Sequence, residues 1–118
     1  MAEQHMFEGF RIVYVEDDAA VRNSLAQTLE LAGFAVTPCA SAEAALPHLA
    51  PELRGIVISD VQLPKMSGLD LLRQVRGIDA GIPVILVTAH GDVDMAVDAM
   101  RAGAYDFIEK PFDPERLL

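Results

Sequence analysis

The stretch Gly55-Ile56-Val57-Ile58-Ser59-Asp60 decides the fold. Its apolar residues fall on successive rather than alternate positions, the pattern of a strand covered on both faces. Such strands belong to parallel sheets with helices packed on either side. The run closes on an aspartate, and in open parallel sheets ligands gather beyond the carboxyl ends of the strands. Asp60 is therefore the first place to look for chemistry.

Upstream, Phe10-Arg11-Ile12-Val13-Tyr14-Val15 has the same apolar character and ends in Glu16-Asp17-Asp18. Asp18 is placed to cap a helix in which Val21, Leu25 and Leu29 recur every four residues, and Gly33 stops it. Phe34 to Thr37 forms a short second strand. Ser41 caps a second helix, which Pro47 is expected to kink or shorten. Downstream, Ser67 and Asp70 make a capping-box pair opening a third helix, with Leu69, Leu72 and Val75 on one face before Gly77. Pro83 to Thr88 is a fourth strand. Asp92 caps a fourth helix whose Val93, Val97 and Met100 share a face, and Gly103 ends it. Ala104 to Glu109 is the fifth strand, and Asp113-Pro114-Glu115 has the signature of a further helix start. That helix has barely begun at Leu118. Five β-then-α units predict an α/β, (βα)5 three-layer sandwich with a parallel sheet, right-handed crossovers and a truncated last helix. Residues 1–9 read as a flexible lead-in and 10–118 as one domain, with the whole expected to be a piece of a longer protein.

A length of 118 residues suits one domain, and 52% hydrophobic residues are enough for a core. Acidic residues outnumber basic ones 18 to 9, for a formal net charge of -9. That balance argues against nucleic-acid binding by this segment, because phosphate binding needs a basic patch. Taken alone, the acidity reads as ordinary solubility. The single cysteine, Cys39, cannot form an internal disulfide, which fits a reducing cytoplasm, and it reads as a small packed side chain. No apolar run reaches the ~18 residues needed to span a membrane.

The strand ends collect a specific set: Glu16-Asp17 after the first strand, Asp60 ending the third, Thr88 ending the fourth, and Lys110 after the fifth. Singly, each has an ordinary explanation: a helix cap, a turn residue, a strand threonine, a solvated lysine. Their joint occurrence at the ends of four parallel strands overrides those explanations. Carboxylates ~4 Å apart repel by about 4 kcal/mol per pair at an effective dielectric near 20. Such a site raises a carboxylate pKa or takes up a cation. Oxygen ligands and retained waters describe Mg²⁺. Aspartate is also a recognised covalent nucleophile toward phosphorus, and Lys110 and Thr88 are suited to holding phosphoryl oxygens.

The ordered set Glu16-Asp17, then Ile58 to Gly68 (ISDVQLPKMSG), then Thr88-Ala89-His90, then Lys110-Pro111-Phe112 resembles the receiver domain of bacterial two-component response regulators. The resemblance covers residues 10–118 and implies a flavodoxin-like fold with strand order 2-1-3-4-5. It further implies that Asp60 is the phosphoacceptor, charged by a cognate sensor histidine kinase. Mg²⁺, with Mn²⁺ as a substitute, is implied on Asp17, Asp60, the Gln62 carbonyl and, through water, Glu16. Thr88 and Lys110 would contact the phosphoryl group. Ala89 would be the small residue beside it, Gln62 and His90 would tune dephosphorylation, and the bond before Pro111 is expected to be cis. Thr88 and Phe107 would form the switch, with Tyr105 the less favoured aromatic. The output would be homodimerisation through helix four, strand five and helix five on phosphorylation.

Residues 103–112 together with 88–92 are most similar to receivers of NtrC-like transcriptional activators, of the C4-dicarboxylate transport regulator type. This likeness implies downstream ATPase and DNA-binding domains in the parent protein. Glu16 departs from the family's usual Asp, and Ser67 from a frequent Asp. Two alternatives stay open: a pseudo-receiver that binds partners without phosphorylation, and an aspartyl-nucleophile phosphatase. The latter wants a second Asp two residues after the nucleophile, where this chain has Gln62. No substrate turnover is expected beyond the chain's own phosphorylation and dephosphorylation.

Overall fold

The computed structural model describes residues 9–51, 53–89 and 93–110. Outside them lie most of the expected lead-in, His90, the Asp92 cap, Pro111 and the start of the fifth helix.

The chain alternates strand and helix: β1 (Arg11–Val15), α1 (Ala19–Leu31), β2 (Ala35–Cys39), α2 (Ala42–Ala45), β3 (Gly55–Asp60), α3 (Gly68–Ile78), β4 (Val84–Thr88), α4 (Val93–Arg101) and β5 (Asp106–Glu109). The five strands form one parallel sheet in the order β2-β1-β3-β4-β5. The predicted fold class is borne out. Strand β3 has the bounds read from the sequence, whereas β2 starts one residue later and runs through Pro38, which stands opposite Tyr14 of β1.

The helix signals act as expected at most ends. The Asp18 carboxylate accepts from the Val21 N–H, the Ser41 hydroxyl accepts from the Ala44 N–H, and Ser67 and Asp70 form a reciprocal capping box. Gly33 and Gly103 take positive φ, which glycine adopts without strain. Pro47 shortens the second helix: α2 is four residues long and passes into a 3-10 turn, Leu46–His48. Gly77 does not stop α3, which runs on to Ile78. Burial of Leu71, Leu72 and Val75 outweighs the ~1 kcal/mol that one helical glycine costs.

Alternation along the strands feeds two cores. Val13, Val15, Val57, Val84 and Leu86 pack against the α2, α3 and α4 side. Ile12, Tyr14, Ile58, Ile85, Val87 and Ile108 pack against Ala26 and Leu29 of α1. Cys39 is buried, as a packed side chain should be. In helix α4, Val93, Val97 and Met100 share a face, as read from the sequence; that face is exposed, Val93 at 77%, and the helix buries Ala99. With Ala96 and Arg101 they line a shallow apolar groove. No helix of the described residues is long and apolar enough to cross a membrane.

Candidate functional site

Three strands deliver charge to one point at the carboxyl edge of the sheet. Glu16 follows Tyr14 on the α1 side of β1, Asp60 follows Ile58 on β3, and Lys110 follows Ile108 on β5. The two-residue period sends all three toward the same face. Asp17, next along the turn into α1, completes the group. One carboxylate oxygen from each of Glu16, Asp17 and Asp60 lies within 4.8 Å of the others. Glu16 is only 2% exposed, whereas Asp17 is open to solvent.

The Lys110 ammonium donates to Glu16 Oε1 and, at 3.0 Å, to Asp60 Oδ2. Burial pulls its pKa down, but the hydrogen bonds and charges of Glu16 and Asp60 outweigh burial and hold it above the ordinary lysine value. The other Asp60 oxygen, Oδ1, accepts the Gln62 N–H at 3.3 Å, and Glu16 Oε2 accepts the Asp18 N–H at 3.2 Å. The Glu16 and Asp60 carboxylates thus each have donors on both oxygens, which fix their orientation. All three cluster donors are carboxylate oxygens, the set a hard cation such as Mg²⁺ takes. The residues fit that ion.

Asp17, Asp60, Glu16 and Lys110, expected together, are brought together. Thr88 is fully buried at the end of β4, on the sheet face of Leu86 and Phe107. Its carbonyl accepts the Lys110 N–H at 2.8 Å, which ties β5 to β4 beside the site. Phe107 is half-buried against the α4-side core, while Tyr105 is 71% exposed. Gln62 and Ala89 are exposed at the rim.

Two neighbours were missed in the sequence. Arg22 of α1 donates to the Glu16 carbonyl at 2.8 Å and the Asp17 carbonyl at 3.5 Å. A cation in the first turn of a helix opposes the macrodipole, and that oddity was the signal available. Tyr14, buried below the cluster, has a hydroxyl without a hydrogen-bond partner among the described residues. Burial first, then the charges of Glu16 and Asp60, push its pKa far up, and Arg22 only partly opposes them.

A model of the response regulator receiver domain matches residues 12–118. The chain belongs to that family. Among curated relatives, this receiver is 50% identical over 107 residues to the C4-dicarboxylate transport transcriptional regulatory protein DctD of Rhizobium meliloti, covering 91% of the chain but 23% of DctD. It is 46% identical over 113 residues to the transcriptional regulatory protein FixJ of Azorhizobium caulinodans, covering 96% of the chain and 54% of FixJ. The chain therefore spans from about a quarter to about half of these relatives. Among solved structures, the FixJ-N crystal structure superposes with a TM-score of 0.79 at 45% identity, over 92% of this chain and 86% of that one. The likeness to C4-dicarboxylate regulators is borne out, and FixJ proteins stand at comparable identity.

Proposed function

We propose that this receiver accepts a phosphoryl group on Asp60 from a phosphohistidine of a sensor histidine kinase and relays the change to its α4–β5 surface. The supporting observation is the geometry of Asp60: a partly buried carboxylate at a strand end, held by Lys110 and the Gln62 N–H beside two further acids.

In the transfer, an Asp60 oxygen attacks phosphorus, the O–P bond forms, and the P–N bond to the imidazole breaks. The imidazole nitrogen leaves with the electron pair. Lys110, already at the Asp60 carboxylate, meets the charge on the transferred oxygens, joined by the Thr88 hydroxyl. A Mg²⁺ ion, or Mn²⁺ in its place, would be held by Asp17, Asp60, the Gln62 carbonyl and, through water, Glu16, and supplies neutralising charge to the phosphoryl oxygens. Ala89 leaves room for the incoming group, and Gln62 with His90 sets how long the acyl phosphate lasts.

Phosphorylation adds about -1.5 to -2 charges and new acceptors at the strand ends. Thr88 moves toward them, and Phe107, on the same sheet face, fills the space released. Burial of an aromatic ring of this size supplies roughly 1.5–3 kcal/mol for a full swing. The consequence is dimerisation through the exposed Val93, Val97 and Met100 face. In the parent protein this would govern an ATPase and a DNA-binding domain, on the pattern of a regulator of C4-dicarboxylate transport genes in the cytoplasm. The domain turns over no substrate other than its own aspartyl phosphate.

Acetyl phosphate with Mg²⁺ tests the reading. Wild type gains ~80 Da in intact mass and Asp60→Asn gains nothing; an unmodified wild type, or an equally modified Asp60→Asn, overturns it.

A further inference from the structure

Helix α1 begins at Ala19, and its first turn carries no acidic residue. Arg22 stands in that turn, where a cation opposes the positive end of the helix macrodipole. A local rule broken without an evident gain marks a functional position. The compensation lies outside the helix. Helical side chains lean back toward the N-terminus, so Arg22 reaches down to the β1–α1 turn. There Nη1 donates to the Glu16 carbonyl at 2.8 Å and approaches the Asp17 carbonyl at 3.5 Å.

That turn needs holding. The Glu16 N–H is still in the sheet, bonded to the Cys39 carbonyl at 3.0 Å, and the Asp18 side chain already caps α1. Between these two anchors the backbone must turn so that two consecutive residues, Glu16 and Asp17, both present carboxylates to Asp60. Consecutive side chains on a strand point to opposite faces. Bringing both to one point therefore requires a fixed, non-extended peptide, and its carbonyls are the groups Arg22 grips. Nη1 serves both carbonyls, and the planar guanidinium fixes the direction of its N–H groups, whereas the ammonium of a lysine is a compact charge whose donors rotate freely.

We infer that Arg22 is a positioning residue for phosphoryl transfer: by gripping the Glu16 and Asp17 carbonyls it aims both carboxylates at Asp60. The inference rests on the proposed phosphoacceptor role. It acts through Glu16 and Asp17 and touches no phosphoryl oxygen itself.

The test uses the 118-residue chain, with the phosphorylation rate from acetyl phosphate followed by intact mass across a Mg²⁺ titration. Wild type against Asp60→Asn settles the phosphoacceptor reading first, independently of Arg22. Arg22→Ala then phosphorylates about 10–100-fold more slowly with a raised Mg²⁺ half-saturation, the usual scale for losing an outer-shell partner of a metal ligand. Added guanidinium ion at low millimolar concentration restores part of the rate, which a general loss of packing would not allow. Arg22→Lys, which keeps the stem and charge, covers the case in which the alanine variant fails to fold, and it recovers less than half the wild-type rate. If Arg22 mattered only as a charge, its removal would tighten Mg²⁺ binding and Arg22→Lys would match wild type. Either of those results, or a folded Arg22→Ala with wild-type rate and half-saturation, overturns the inference.

Discussion

Lys110 and Glu16, 94 residues apart in the chain, are joined by an ion pair across the carboxyl edge of the sheet, and the same ammonium holds Asp60. One cation therefore balances two acids of a three-acid cluster. Replacing it with Lys110→Met leaves a nearly fully buried Glu16 without its counter-charge. The expected loss is about 1–3 kcal/mol of folding stability, read from urea midpoints. Saturating Mg²⁺ should raise the midpoint of this variant more than that of wild type, because binding to the folded state alone stabilises it. An unchanged midpoint without metal would remove the ion pair from the account of stability.

The same pair sets an alkaline limit. The Lys110 pKa stands above its ordinary 10.5 despite burial, through its bonds and charge attraction to Glu16 and Asp60. A folded pKa raised above the unfolded one contributes stability that is complete below the unfolded value. That contribution is lost as pH climbs through the folded value. The urea midpoint should therefore lose this contribution above pH 10.5, and Lys110→Met should lack that component of the fall. Parallel curves for the two proteins would refute it.

Tyr14 should be more stable without its hydroxyl. The group is buried and has no partner among the described residues, a condition that costs about 1–3 kcal/mol. Tyr14→Phe keeps the ring and removes the cost, so its urea midpoint should rise. A fall of more than about 1 kcal/mol would mean that the hydroxyl has a partner in solution.

Gly68 links α3 to the site. A Cβ there would lie 2.2 Å from the Asp60 carbonyl oxygen and 2.9 Å from Val61 Cα. Gly68→Ala must push the end of β3 away. It should destabilise by roughly 1–3 kcal/mol, as overpacking does, and slow phosphorylation of Asp60 as well. Unaltered kinetics with lowered stability would confine the effect to packing.

Much of this was legible in the chain, for physical reasons. Continuous apolar strands ending in Asp60 and in Glu16-Asp17 require double burial, and double burial implies helices on both sides. Capping residues act over three or four positions, so Asp18, Ser41 and the Ser67–Asp70 pair could be read locally. Gly77 marks the end of α3 to within one residue, because burial of Leu71, Leu72 and Val75 carries the helix on to Ile78. The shared face of Val93, Val97 and Met100 was legible from its period, although periodicity gives a face and not its direction. Arg22 left only the oddity of a cation early in a helix, because it acts through backbone carbonyls, and the burial of the Tyr14 hydroxyl leaves no residue pattern at all.

Pro38 has a consequence beyond the site. The Cys39 carbonyl points inward to the Glu16 N–H, so by alternation the Pro38 nitrogen faces away from β1, along the free margin of the sheet. A margin strand with a donor missing is a poor template for another chain to zip onto. At the opposite margin, β5 carries Asp106 and Glu109, whose charges discourage the same approach. Both margins of the sheet thereby resist strand-to-strand pairing with another chain, the step from which fibrils grow.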